Sequence, residues 1–157
     1  MKGSGAPAPR AVDIKNLIMD NLKFCITQMT GTTRGGTFTT TPEKCFDKDL
    51  VINNTPNAVD QYAECLFGSI CKLIDFRVYF SSGNTNTNGR WKIEYRDLVG
   101  VWHDLKTGIP SGILDAWSSW EIFASNPETD GIRFTCTTYD ANSSRIKEIQ
   151  IRGVKCE

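Results

Sequence analysis

The sequence predicts an all-β fold, an antiparallel sandwich, and three observations predict it. Apolar and polar residues alternate over several stretches, the two-residue period of a strand with one buried face. Clusters of Gly, Asn, Asp and Pro separate these stretches at regular spacing. Nothing repeats at the fixed period that a solenoid or propeller needs. A chain of 157 residues is expected to form one domain, long enough to bury roughly 70% of the surface its unfolded form exposes.

The elements follow in order. Residues 1–12, beginning MKGSGAPAPR, are small and Pro-rich and read as a flexible linker; residues 13–157 read as a single domain. In DIKNLIMDNLKF, Ile14, Leu17, Ile18 and Leu22 share one helical face, so Asp13 to Phe24 is either a short N-terminal helix or, given Asn16 and Asn21, an extended segment. GTFTTTP, Gly36 to Pro42, is Thr-rich and favours β structure. Lys44 to Ala58 gathers Asp, Asn and Pro and reads as a long structured loop. Tyr62 to Phe80 reads as two strands around Gly68-Ser69. In its second half Ile74, Phe76, Val78 and Phe80 alternate with Asp75, Arg77 and Tyr79.

Ser81 to Gly89 has no apolar residue and is a loop. Trp91, Ile93 and Tyr95 then line one strand face, Asp97 to Gly100 turns the chain, and Val101 to Leu105 returns. Trp102 and Leu105 are expected to re-enter the core, which needs a bulge or bend at His103-Asp104. Asp115 to Ser125 carries Trp117 and Trp120. Three apart on a strand, these two would point to opposite faces. Ile132, Phe134 and Cys136 alternate next, and RIKEIQIRGV is the last strand, with Ile149 and Ile151 facing inward.

Bulk chemistry narrows the function. Acidic and basic residues number 18 each, which argues against a nucleic-acid partner. No apolar run approaches the roughly 18 residues of a membrane span, so no membrane insertion is expected. None of the six cysteines forms a CxxC pair, and a zinc site is not expected. Disulfides and buried thiols are both open. Cys65 and Cys71 could face each other across Gly68-Ser69, and Cys25 could join Cys156. The lone His103 lies beside Asp104 on a strand, where neighbours point to opposite faces, so Asp104 cannot orient it. No catalytic residue is assigned.

The order of these pieces resembles the discoidin-like family, also called the coagulation-factor C-type domain, of the galactose-binding-like jelly rolls. CFDKDLVINNT looks like the family's Asp-containing loop. ICKLIDFRVYFSSGNTNTNGRWKIEYRDLVGVWHDL looks like its central block of strand, variable loop, KIEY strand, turn and Trp. DGIRFTCTTYDANSS looks like the penultimate strand and loop, and RIKEIQIRGVKC like the closing strand. The resemblance covers roughly residues 31 to 156. Lys48 stands where the family has Gly, and the spacing from Asp47 to Thr55 is longer than usual.

Calcium favours oxygen ligands on an irregular loop, and Asp47 and Asp49 sit two apart on one. The resemblance implies that a structural Ca²⁺ there is also held by Glu148. It further implies a ligand site in the loops at one end of the sandwich. An aromatic face stacks on a sugar while Asn, Arg or acids bind its hydroxyls. The loop after Phe80 offers Asn84, Asn86, Asn88 and Arg90, the loop before the closing strand offers Tyr139 and Asn142, and GTTRGG offers Arg34. Tyr139 with Asn84 and Arg90 is the leading constellation.

The expected function is therefore a non-catalytic recognition module for a carbohydrate or cell surface, extracellular or on a particle. The alternative is a structural domain of a virion, phage tail or surface array, binding protein copies as a homo-oligomer or larger assembly.

Overall fold

The fold is seen in a computed structural model, which describes residues 24–29, 31–48, 50, 55–81, 90–110, 115–139 and 145–156. The expected helix over Asp13 to Phe24 falls outside these residues, except that Phe24 begins a strand. Nine strands follow in chain order: β1 (Phe24–Cys25), β2 (Thr33–Gly36), β3 (Tyr62–Phe80), β4 (Arg90–Arg96), β5 (Trp102–Pro110), β6 (Ala116–Trp117), β7 (Glu121–Ile122), β8 (Glu128–Thr138) and β9 (Ile146–Lys155). All described pairings are antiparallel. The all-β expectation holds.

The sandwich is one sheet folded over along β3, which belongs to both layers. Its first part pairs with β2 and β8, and β8 continues through β4 to β5. Its second part pairs with β9, β6 and β7, and β9 continues to β1. The crossing lies between Leu66 and Cys71, where the register with β8 shifts. Gly68 stands there with φ of +68°, a conformation that L side chains resist. The Gly68-Ser69 pair therefore bends one continuous strand, and does not reverse the chain into a hairpin. Two turn-forming residues read alike in both cases; the pairing partners decide.

Three other local expectations are corrected. The strand near the Thr-rich run is Thr33–Gly36, and residues 37–41 lie outside it. There Thr37 N–H donates to the Tyr62 carbonyl and Thr39 N–H to Thr55, so tertiary hydrogen bonds override β propensity. Trp102 does not re-enter the core. It pairs with Arg96, and Arg133 lies over its ring at 4.1 Å. The expected irregularity is present one residue on: Ile93 pairs with Lys106 and Glu94 with Asp104, so Leu105 is the extra residue and packs against the core. Trp117 and Trp120 do not point oppositely. The strand breaks after Trp117, where Ser118 exchanges hydrogen bonds with the Val78 backbone. Both indoles then meet the same Arg77.

The core lies between the layers. Trp91, Ile93, Ile132 and Phe134 come from one, and Phe76, Val78, Ile149 and Ile151 from the other, each at most 1% exposed. Trp91 stacks on Phe134 with centroids 5.0 Å apart, and Phe38 meets Trp91 edge-on. Truncating a buried aromatic of this size costs about 3–5 kcal/mol. Gly153 is required where β9 meets β3, because a Cβ there would strike the Lys72 carbonyl. All six cysteines are free thiols. Cys65 and Cys71 are six residues apart on β3 and do not face across a turn. Cys156 N–H donates to the Ile70 carbonyl, which puts Cys156 beside the crossing, while Cys25 pairs with Arg152.

The two outward faces are built differently. On the first layer Arg133 lies over Tyr62 and Trp102, each at 4.1 Å, and pairs with Glu64 at 3.0 Å. On the second layer Arg77 lies over Trp117 at 4.1 Å and Trp120 at 4.6 Å, and donates twice to Gln150 Oε1. Arg152 lies over Trp120 at 3.8 Å and grips Asp75 through two hydrogen bonds.

Candidate functional site

At the end of the sandwich away from the crossing lie three pairs of strand ends: Phe80 and Arg90, Pro110 and Ala116, and Thr138 and Ile146. Their positions are fixed by pairing. Phe80 faces Ile146 and Ala116, and Arg90 faces both Thr138 and Pro110. Ser81 N–H donates to the Arg145 carbonyl. This brings Arg90 next to the residue preceding Tyr139. Arg90 is exposed, and Tyr139 is half-buried against the core. Nearby, Tyr79 Oη donates to the Asp115 carbonyl, and Lys147 pairs with the Asp115 carboxylate at 2.9 Å. The end thus combines a half-buried tyrosine with an exposed arginine, residue types suited to ring stacking and hydroxyl recognition. Asn84, Asn86 and Asn142 lie outside the described residues.

Arg34 does not join this group. It sits on β2 opposite Cys65, toward the crossing, and donates to the Thr27 carbonyl at 3.0 Å. Its Nε is buried without a partner among the described residues. Burial pushes the neighbouring Cys65 thiol up to about 12, and Arg34 works against that rise. The guanidinium has been drawn inward because β2 pairs with the first part of β3, a non-local fact that GTTRGG does not reveal.

The loop expected to hold a metal comes to the expected strand. Pro42–Phe46 forms a 3-10 helix whose Cys45 and Phe46 enter the core. Asp47 follows and pairs with Lys44 at 2.9 Å, and Lys48 N–H donates to Glu148 Oε2 at 3.1 Å. Glu148 shares its strand face with Gln150 and Arg152, as their partners Tyr79, Arg77 and Asp75 show. It is nonetheless fully buried. A carboxylate taken out of water needs hydrogen bonds or a cation. Lys48 has φ of +70°, where the Gly of the resembled family would sit without strain. The backbone that follows Asp47 thus reaches Glu148 through Lys48, and Asp49 lies outside the described residues. Among the described residues no group of three His, Cys, Asp or Glu side chains is placed to hold a metal ion.

His103 is exposed on β5. Its Nε2 lies 2.7 Å from Asp97 Oδ2, and its ring stacks on Tyr95. Asp97, not Asp104, orients it. Asp97 also accepts from Val99 and Val101 N–H, so the pair closes the β4–β5 turn. No Ser or Cys is hydrogen-bonded to His103 among the described residues, and a nucleophile–base pair needs one.

No family model matches the chain, and no curated protein matches it. Solved structures do. The family 32 carbohydrate-binding module of C. perfringens NanJ, solved with galactose, is similar with a TM-score of 0.68 and 16% identity, over 83% of this chain and 98% of that one. The family 32 module of AlyQ, solved with 4,5-unsaturated mannuronic acid, gives 0.63 and 21%, over 79% and 95%. A further family 32 module from Clostridium perfringens, solved with GalNAc-β-1,3-galactose, gives 0.60 and 10%, over 76% and 94%. The fold is thus the galactose-binding-like, discoidin-like jelly roll.

Proposed function

We propose that this domain is a non-catalytic carbohydrate-binding module whose ligand sits at the Arg90–Tyr139 end of the sandwich, with Asn84, Asn86 and Asn142 in the flanking loops. The observation that carries this reading is the register of β4 against β8, which brings Arg90 beside the Tyr139 end of β8. The similar modules solved with galactose, mannuronic acid and GalNAc-galactose support the ligand class. Fold alone does not assign function, so the loop-end residues must be tested. An assembly role draws no support from these neighbours.

A glycan array tests the reading. Wild-type protein should bind a defined set of glycans, and both Tyr139→Ala and Arg90→Ala should lose roughly tenfold or more in affinity. Arg90 is exposed, so its variant separates loss of contact from loss of fold. Full binding by the Arg90 variant would sink this placement of the site.

The buried Glu148 carboxylate and the Asp47 loop suit a structural calcium, held by Glu148, Asp47 and Asp49 with backbone carbonyls of the loop. Bound Ca²⁺ supplies positive charge that pins the loop to β9. Calcium at a hundred times its Kd should add about 2.7 kcal/mol, a Tm rise of roughly 5–10 °C for a domain this size. Equal melting in EDTA and in Ca²⁺ would remove the site.

A further inference from the structure

The break after Trp117 places both indoles of the WSSW segment, Trp117 to Trp120, over one guanidinium on the outward face of the second layer. We propose that this face, centred on Arg77, is a second binding site, for the carboxylates of an acidic polysaccharide. That the ligand is a glycan rests on the carbohydrate reading above. That it carries an oxyanion rests on the face itself.

The argument is one of unmatched donors. Arg77 directs Nε and one terminal nitrogen to Gln150 Oε1, at 2.9 and 2.7 Å. Its other terminal nitrogen, the Gln150 side-chain amide N–H and both indole N–H groups have no acceptor among the described residues. Arg77, Gln150, Trp117 and Trp120 are each only partly buried. The nearby acids are committed. Asp75, 2% exposed, is gripped by Arg152, Asp115 is held by Lys147, Glu121 pairs with Lys106, and the fully buried Glu148 accepts the Lys48 N–H. The face therefore offers donors and positive charge, and each of these carboxylates among the described residues already has a partner.

Geometry favours a carboxylate. Arg77 Cζ lies 4.1 and 4.6 Å from the two indole centroids while Gln150 holds Nε and one terminal nitrogen, and a positioned guanidinium edge suits a planar two-oxygen acceptor. Tyr79 meets Trp117 edge-on at 5.5 Å, and Ile122, 76% exposed, pairs with Asp75 farther along. These rings and the isoleucine border Arg77 along β3 and give apolar surface for sugar C–H groups on either side of the anion.

The test compares three polymers by affinity electrophoresis and calorimetry: polygalacturonate, dextran sulfate and neutral dextran. Wild-type protein should bind polygalacturonate and ignore dextran. Arg77→Gln should weaken polygalacturonate binding roughly tenfold, as loss of a charge-assisted hydrogen bond implies, and Arg77→Lys should restore part of it. Trp120→Phe, which keeps a ring and removes the N–H, should weaken it by a smaller factor. Glycans held at the Arg90–Tyr139 end should bind the Arg77 variant as they bind wild type. Failure there with polygalacturonate intact would strike the loop-end reading alone. Three results would overturn the proposal: undiminished polygalacturonate binding by Arg77→Gln, an equal loss in the distant exposed Lys155→Gln, or binding of dextran sulfate without polygalacturonate.

Discussion

Each side of the sandwich lays an arginine over two aromatic rings, and the two arrangements differ in one partner. Arg133 lies over Tyr62 and Trp102 and pairs with Glu64. Arg77 lies over Trp117 and Trp120 and meets the neutral Gln150. The first face continues in the same manner: Lys92 bridges Glu94 and Asp104, and Arg96 takes Asp130 through two hydrogen bonds. The cations respond accordingly. The Asp130 hydrogen bond holds Arg96 above its ordinary range, whereas burial, with some repulsion from Arg152, lowers Arg77. A closed lattice of opposite charges can only hold strands together. An arginine on aromatic rings without a carboxylate leaves its charge for something outside the protein.

Four variants, measured for stability in urea, would break or sharpen that contrast. The largest effect belongs to the ion pair beside the open site. Arg152→Met leaves Asp75, whose side chain is 3% exposed, without its guanidinium, and should cost about 3 kcal/mol. Asp75→Asn leaves the partly exposed Arg152 able to turn to water and should cost about half as much. Equal losses would show that the two partners are equally buried in effect. On the closed face, Arg133→Met should cost about 1–2 kcal/mol, since Glu64 and two rings lose their cation. On the open face, Arg77→Met should cost under ~0.5 kcal/mol, because it strands no charge and keeps contact with the indoles. If Arg77→Met destabilises as much as Arg133→Met, the two faces are both structural and the contrast is gone.

What could be read in the sequence followed from local period. Phe76, Val78 and Phe80, then Trp91 and Ile93, then Ile149 and Ile151, announced their buried faces by alternation, and all are buried. Tyr95, by contrast, is half-buried, and at the register shift between Leu73 and Asp75, Ile74 is half-buried and Asp75 buried. Glu148 could be placed on the face of Gln150 and Arg152 by the same rule. Its burial could not, because the covering segment around Lys48 comes from a hundred residues earlier. Tyr139 and Arg90 were legible as a pair through the family resemblance, which orders the strands. Arg34 was not excluded, since an inward turn toward Thr27 depends on how β2 docks. The open face was missed for a similar reason. Period-two logic separates Trp117 from Trp120, and only the hydrogen bonds of Ser118 to Val78 cancel it. An Arg among the alternating residues of β3, two positions from Asp75 and from Tyr79, was the available signal.

β3 also sets how the domain must come into being. Its long partners Glu128–Thr138 and Ile146–Lys155 are made after it, so a strand of 19 residues has only the short β2 to pair with, at Ala63–Leu66, while some 50 more residues emerge. Synthesis at about 5–20 residues per second makes that a wait of seconds, and pairing at such separation is slow in its own right. During it the strand exposes Leu73, Phe76 and Val78 on an edge with nothing beside it, the kind of segment that recruits other chains. Because both layers hang on this strand, neither can form ahead of it as a separate folding unit. Aggregation during expression, more than loss of the folded state, is the hazard that this single shared strand carries.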